Sequence, residues 1–292
     1  MRWFDYLALT AIIVAATAQF LTGSDGAAPP SETPRRPAPQ QFAEQQDDMS
    51  GNTETEPRLP PPSVPQNSVP DLGQGVVEEK SARTTSTGSA FPILSDGTWL
   101  TARHVAQDCK KISLRLGNHA VPVSRRVLHP FADIAILKTK AAVTPFPFAS
   151  GSAPLGTAYH IGFPKGRPGV VASGFLGEMT LWHKGRHNYR ERVHVWAERV
   201  RYPQRQGSLG GLSGGAVLDP EGRIIGVTQA ESPRRGRIMT GMPERVSEIA
   251  GFAAITLPAA GGASTPIAPE KFGETGFALI NGYRIAKVLC RV

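Results

Sequence analysis

From residue 81 onwards, short apolar stretches alternate with Gly, Pro, Asp and Asn, the residue types that favour turns. Stretches of this length and spacing predict β-strands and an all-β sandwich or barrel. Apolar residues recur at helical spacing over Gly282–Leu289, which predicts one short C-terminal helix. The predicted strands include Ser89–Leu94, Thr98–Thr101, Ile112–Leu116, Ile134–Leu137, Ala158–Ile161, Gly169–Ala172, Val193–Trp196, Ala216–Leu218 and Arg223–Val227.

The first 23 residues have the pattern of an export signal. Arg2 precedes an almost unbroken apolar run from Tyr6 to Leu21, and the small residues Ala16 and Ala18 could frame a cleavage site. The run is shorter than the roughly 18 to 20 residues that cross a bilayer comfortably. We therefore expect residues 1–23 to be a signal anchor in inner-membrane lipid, or a cleaved signal peptide. The domain would then lie on the periplasmic side of the inner membrane, or be secreted.

Residues 24–80 are rich in Pro, Ser, Thr, Gln and acidic side chains, so they cannot bury enough apolar surface to fold. This composition predicts a disordered linker followed by a globular domain over residues 81–292. The chain as a whole is 40% hydrophobic, which excludes disorder throughout. Residues 1–80 hold 5 basic and 11 acidic side chains (−6), whereas residues 81–292 hold 27 and 13 (+14). The globular part is therefore strongly basic.

Three segments of the globular part carry a His, an Asp and a Ser in that order: Leu100–Val105 with His104, Ala132–Leu137 with Asp133, and Gly210–Ala216 with Ser213. A serine hydroxyl needs an imidazole base for acyl transfer, and the imidazole needs a carboxylate to fix its tautomer. The glycines around Ser213 allow a tight turn in which the N–H groups of Gly211 and Ser213 converge on an oxyanion. Each motif alone is common in structural roles, but their conjunction predicts a serine hydrolase.

The same segments resemble the trypsin/chymotrypsin-like serine peptidases, most closely the high-temperature-requirement type of the bacterial cell envelope. Four matches carry the resemblance beyond the Ser213 loop: Gly88–Phe91 with His104, Asp133–Leu137, Gly162–Gly166, and Gly276–Asn281 as a strand before the last helix. The resemblance implies a chymotrypsin-like fold of two antiparallel six-stranded β-barrels, about residues 81–147 and 148–292. It also implies polypeptide substrates, and neither a cofactor nor a metal.

By this resemblance Ser213 is the nucleophile, His104 the base and Asp133 the residue that orients it. Gly207 and Ser208 lie near the floor of the pocket for the residue before the scissile bond, and the backbone of Thr228, Gln229 and Ala230 pairs with the substrate. Neither floor residue is acidic, so cleavage is expected after small or medium apolar residues. Leu212 stands where relatives have Asp or Asn, so the oxyanion loop must be ordered in another way. A regulatory PDZ domain is not expected, and the oligomeric state is left open.

Two other functions fit parts of the sequence. Gly211–Gly215 also satisfies the Gly-x-Ser-x-Gly pattern of α/β-hydrolases, but in that fold the acid and base follow the serine. A catalytically silent protease fold could instead bind an anionic polymer through the basic stretch His183–Gln206. That stretch lacks the interleaved aromatic platform typical of nucleic-acid binding, so no nucleic-acid partner is expected.

The chain has two cysteines, Cys109 and Cys290, too few and too far apart for a zinc or iron–sulfur ligand set. The export signal indicates an oxidising compartment, in which a disulfide between them is expected. The alternative is a pair of buried free thiols, which behave as small apolar side chains.

Overall fold

The structure, a computed structural model, describes residues 69–78, 85–149, 156–185, 187–258 and 264–292. The predicted signal at residues 1–23 and most of the predicted linker lie outside these ranges. Among the described residues, no helix has both the length and the apolar character needed to cross a bilayer.

Strands make up about half of the described chain, with three α-helices among them. In chain order the strands are β1 (Asp71–Glu78), β2 (Ser86–Leu94), β3 (Thr98–Thr101), β4 (Lys111–Leu116), β5 (His119–Pro122), β6 (Arg125–Leu128), β7 (Ala135–Lys138), β8 (Thr157–Gly162), β9 (Gly169–Lys184), β10 (Tyr189–Tyr202), β11 (Ala216–Leu218), β12 (Ile224–Ser232), β13 (Arg237–Gly241) and β14 (Ala286–Arg291). The helices are α1 (Arg103–Ala106), α2 (Pro243–Phe252) and α3 (Phe272–Asn281).

These strands form two sheets, which confirms the predicted all-β, chymotrypsin-like class. The first sheet has the order β5-β4-β14-β2-β3-β7-β6, and all its pairings are antiparallel. The second has the order β1-β9-β10-β13-β12-β11-β8, and an additional pairing of β9 with β8 closes it on itself. Each sheet therefore has seven strands in the described part of the chain, not the six that we expected.

Strand β1 corrects the predicted linker, which was to run to residue 80. Asp71–Glu78 lies parallel to β9 and pairs with it from Glu178 to Lys184. Leu72 and Val77 pack against an apolar cluster that includes Leu181. Two apolar side chains on a mostly polar strand are enough here because β9 supplies a preformed edge, which composition cannot reveal.

The prediction for the last part of the chain has helix and strand exchanged. Gly276–Asn281, expected as a strand, belongs to helix α3, and the expected helix Gly282–Leu289 gives way to strand β14. In α3 the buried residues are Phe272, Gly273, Gly276, Leu279 and Ile280, at helical spacing. In β14 burial alternates, with Ala286, Val288 and Cys290 inside, the period of a strand.

Strand β14 also changes the division of the chain between the barrels. It pairs with β2 and β4, so residues 286–291 belong to the first sheet and not to the second barrel as expected. A disulfide joins Cys290 of β14 to Cys109, whose Cα atom lies 5.3 Å away. Cys290 therefore ties a strand, and not a terminal helix, to the segment that follows His104.

Candidate active site

His104 lies on α1, a single helical turn that follows β3 directly. The neighbours of His104 on this turn, Val105 and Ala106, are buried in an apolar cluster with Trp99 of β3 and Leu137 of β7. Their burial fixes the turn and leaves the imidazole at the surface of the cleft, with 35% of its side chain exposed. The buried residues of this turn therefore hold the backbone of His104 while its side chain faces solvent.

Asp133 lies in the loop before β7 and holds His104 at two points. Its Oδ1 accepts the backbone N–H of His104 at 2.8 Å, and its Oδ2 lies 2.7 Å from Nδ1 of the ring. Burial by itself would raise the pKa of Asp133, but the charge and hydrogen bonds of His104 outweigh it and hold the pKa below its ordinary value. Asp133 is therefore ionised at neutral pH, and it fixes Nδ1 as the protonated nitrogen of neutral His104.

Ser213 belongs to the second sheet's side of the cleft, on the loop before β11. Its Oγ donates to the carbonyl of Gln229 at 3.3 Å, and its own carbonyl accepts the N–H of Ser89 at 2.8 Å. The next residue, Gly214, donates its N–H to Thr228 at 2.7 Å. Ser213 is thus held between β2 of the first sheet and β12 of the second.

The peptide between Gly210 and Gly211 is held in one orientation. The Gly210 carbonyl accepts the N–H of Lys165 at 2.6 Å, which directs the Gly211 N–H to the opposite side of that peptide. The N–H groups of Gly211 and Ser213 donate to no backbone carbonyl in the described part of the chain. Gly211 has a φ of +100°, and a Cβ there would lie 2.5 Å from the Phe163 carbonyl oxygen. Only glycine fits this close approach.

Ser89 takes over the ordering that Leu212 cannot provide. Its buried hydroxyl donates to the Gly211 carbonyl at 2.8 Å and accepts the Phe163 N–H at 2.9 Å. Leu212 itself turns inward and packs in an apolar cluster with Leu209. A polar side chain before the nucleophile is therefore not required to fix this loop.

A cavity of about 310 Å³ brings together most of the predicted site. His104, Asp133, Gly211, Ser213, Gln229 and Ala230 line it, with Val77 and Glu78 of β1 on one wall. Thr228 is buried beneath it on β12.

Gly207 and Ser208 do not line this cavity. Ser208 lines a separate cavity of about 350 Å³, together with Lys165 and Arg201. The hydroxyl of Ser208 donates to Glu231, which also accepts the Leu209 N–H at 2.9 and 2.8 Å. Glu231 therefore joins β12 to the loop before Ser213, a contact that the sequence motifs did not indicate.

The sequence motifs also missed two buried titratable residues, His183 and Glu191, whose side chains lie 2.9 Å apart. Glu191 belongs to no recognisable sequence motif, because it lies in a stretch of mostly basic residues. Its position in β10 does carry a signal: Tyr189, Glu191 and Val193 are buried while Arg190 and Arg192 are exposed. A glutamate on the inward side of an alternating strand needs a buried partner.

Comparison with known proteins adds to this geometry. Residues 88–227 match the family described as the trypsin-like peptidase domain. Residues 88–227 therefore form a trypsin-like peptidase domain. The match runs from Gly88 at the start of the His104 motif to β12, beyond the Ser213 loop, and it confirms the resemblance that the motifs indicated.

Two relatives of the trypsin-like peptidase domain are curated as proteases of the same kind. The putative serine protease HhoB of Synechocystis is 29% identical over 54% of this chain and 38% of its own length. A probable periplasmic serine endoprotease, DegP-like, of Chlamydia pneumoniae is 28% identical over 52% of this chain and 30% of its own. The chain thus spans well under half the length of these relatives.

Among solved structures, the active form of the Rv3671c protease of M. tuberculosis is 16% identical. Its alignment covers 69% of this chain and 97% of that one, with a TM-score of 0.49.

Proposed function

We propose that this trypsin-like peptidase domain is a serine endopeptidase that hydrolyses peptide bonds with His104, Asp133 and Ser213. The observation that carries the proposal is the double contact of ionised Asp133 with His104, at a cavity that Ser213 and Gly211 also line. A carboxylate in this position keeps Nε2 of the ring as the proton acceptor and stabilises the imidazolium that forms. The predicted oxyanion hole uses the N–H groups of Gly211 and Ser213.

The proposed reaction is that of a serine peptidase, and it starts when the Ser213 hydroxyl leaves the Gln229 carbonyl. Ser213 Oγ attacks the scissile carbonyl carbon, His104 Nε2 takes the hydroxyl proton, and the carbonyl π electrons move to the oxygen in the oxyanion hole. The imidazolium then gives its proton to the leaving amine as the C–N bond breaks, which leaves an acyl-enzyme on Ser213. A water that loses a proton to His104 hydrolyses this ester and restores the hydroxyl. No cofactor or metal takes part in this scheme.

Substrate binding in this proposal uses β12. An extended polypeptide adds a strand beside Thr228, Gln229 and Ala230, which places its scissile bond at Ser213. By the family resemblance Gly207 and Ser208 occupy the floor positions of the pocket for the residue before that bond, although neither lines the cavity at Ser213. Because neither is acidic, we expect that residue to be small or medium and apolar. Strong hydrolysis of an arginyl reporter peptide with none of a valyl or alanyl one would contradict this preference.

The proposed location is the cell envelope, on the periplasmic side of the inner membrane. A DegP-like relative is named a probable periplasmic endoprotease, which supports this location. Residues 1–23 would anchor the chain in lipid or be cleaved, and the Pro-rich segment that follows would separate the peptidase domain from the membrane.

Labelling with a fluorophosphonate probe tests the activity, because the probe reacts with an activated serine. The wild-type domain should be labelled and should hydrolyse casein, and Ser213→Ala should do neither. Absence of labelling in the folded wild type would contradict the proposal and favour a catalytically silent fold with a basic binding face.

A further inference from the structure

Directly behind Asp133, a second carboxylate is buried. Glu191 Oε1 accepts the backbone N–H of Asp133 at 3.0 Å, and it lies 2.9 Å from Nε2 of His183. None of the Glu191 side chain and only 2% of the His183 side chain is exposed. The proposed reaction does not use either of them.

The main chain of Asp133 needs such support because it lies in a loop, two residues before β7 begins at Ala135. Glu191 takes its N–H, and Gln229 Nε2 donates to its carbonyl oxygen at 3.1 Å. Gln229 Nε2 also lies 3.3 Å from Glu191 Oε2. Both polar groups of the Asp133 main chain are therefore held by side chains of the second sheet.

Gln229 connects the two halves of the site. Its side chain binds the Asp133 main chain, while its own carbonyl accepts the Ser213 hydroxyl. Any shift of Gln229 therefore moves the contact to Asp133 and the contact to Ser213 together.

We propose that Glu191 and Gln229 are positioning residues, which hold the Asp133 main chain and so set the distance between the His104–Asp133 pair and Ser213. This inference rests on the proposed function of these three residues. His183 holds Glu191 in turn, and its ring stacks on Tyr189 with centroids 4.4 Å apart. The whole group lies on β9, β10 and β12, which is the sheet that carries the nucleophile loop.

Burying the Glu191 carboxylate beside Asp133 is unfavourable for folding, which supports a role for Glu191 in the site. Burial raises the pKa of Glu191, and the neighbouring charge of Asp133 raises it further against the opposing effect of His183. Two carboxylates buried side by side oppose folding, and buried ion pairs contribute little net stability. Apolar residues would fill the same space at lower free energy, whereas only an acceptor can hold the Asp133 N–H.

The test compares three variants of the full chain: Glu191→Ala, Glu191→Gln and the control Glu248→Ala. Glu248 also accepts a bond from a buried histidine, with its Oε2 3.0 Å from His129 Nε2. Among the described residues its hydrogen bonds go to His129 and Arg245 and to no member of the proposed triad. We expect Glu191→Ala to lower kcat on a peptide substrate by about 100-fold with KM changed less than about 3-fold, because small misplacements of catalytic groups cost rates of this order. Glu191→Gln keeps an acceptor oxygen and should recover most of kcat.

Thermal melting establishes that both variants are folded. Equal kcat for folded Glu191→Ala and folded Glu248→Ala would overturn the inference. If Glu191→Ala does not fold, the double variant Glu191→Met with His183→Leu replaces both buried groups by apolar ones of similar size. Its kcat should still fall by about 100-fold at unchanged KM, and wild-type kcat in that variant would equally overturn it. Fluorophosphonate labelling of the wild type is scored separately: its failure contradicts the proposed function, whereas labelling with unaffected Glu191 variants contradicts only this inference.

Discussion

The loop that carries Asp133 is held mainly by side chains. The loop that carries Ser213 is held mainly by backbone pairing around Ser213 itself, with the side chains of Ser89 and Glu231 supporting the residues before it. Asp133 receives its contacts from His104, Glu191 and Gln229. Around Ser213, carbonyl and N–H groups pair directly with those of other strands and loops, and glycines with positive φ make the turn. The two halves should therefore respond differently to substitution: the first to loss of a polar group, the second to addition of a methyl group.

The largest effect is expected for the nucleophile. Ser213→Ala should lower kcat by about 10⁶-fold, because the members of such a triad act as one unit and the remaining residues cannot replace the hydroxyl. Adding Asp133→Asn to Ser213→Ala should lower it little further. Steady-state hydrolysis of casein measures both. Independent, multiplying losses in the double variant would show that the two halves do not work together.

Asp133→Asn probes the half that side chains hold. The amide cannot fix the His104 tautomer or stabilise the imidazolium, so kcat should fall by about 10⁴-fold while the fold is kept. Circular dichroism and kcat at neutral pH check the two parts of this statement. A loss below 10-fold in a folded variant would remove Asp133 from the proposed triad.

Gly211→Ala probes the half that the backbone holds. Its Cβ would meet the Phe163 carbonyl oxygen at 2.5 Å, so the peptide whose N–H is the proposed oxyanion donor must rotate or shift. Loss of one oxyanion donor typically lowers kcat by about 10² to 10³-fold. Gly236→Ala is the matched control, because Gly236 also has positive φ but has no atom within 4 Å of the added Cβ. Similar losses in both variants would contradict a specific role for Gly211.

The motifs indicated His104, Asp133 and Ser213 because catalysis restricts the residue type at such positions. All three line one cavity, and their catalytic roles stay a prediction. Periodicity failed where two periods compete over a few residues, as in α3 and β14. The support of the Ser213 loop could not be predicted, because Lys165 contributes only its backbone N–H and any residue has one.

The smallest expected effect is a loss of stability in mild acid that comes from buried histidines and not from Asp133. Burial lowers the pKa of His160, in the second sheet, to about 3. Below about pH 6.5 the unfolded chain therefore binds a proton at His160 that the folded chain does not bind, and the free energy of unfolding falls. Asp133 has the opposite sign of charge, and its contribution is lost only as the pH falls below its unfolded pKa of 3.8. Burial also lowers the pKa of His194 in the second sheet and of His129 before β7 in the first half. Between pH 7 and 5 these buried histidines should therefore weaken the fold, whereas the contribution of Asp133 is kept.

For His160 this loss is at most about 2 kcal/mol in the free energy of unfolding, since each pKa unit corresponds to about 1.4 kcal/mol. Urea unfolding at pH 7 and pH 5 measures it. The free energy of unfolding should differ less between pH 7 and pH 5 in His160→Gln than in the wild type. His119→Gln, at an exposed histidine, should leave this difference unchanged. An unaltered difference in His160→Gln would assign the acid sensitivity to other groups.

The pairing of β14 with β2 has a consequence for the order of events during biosynthesis. Residues 286–291 insert between β4 and β2, beside residues made about 200 positions earlier. At roughly 5 to 20 residues per second, translation of the intervening chain takes on the order of 10 to 40 s. During that time the sheet that carries His104 has an open gap, so a nascent chain already containing all three proposed catalytic residues cannot yet assemble them. The proposed catalytic site would then be completed only after β14 has entered the sheet between β2 and β4.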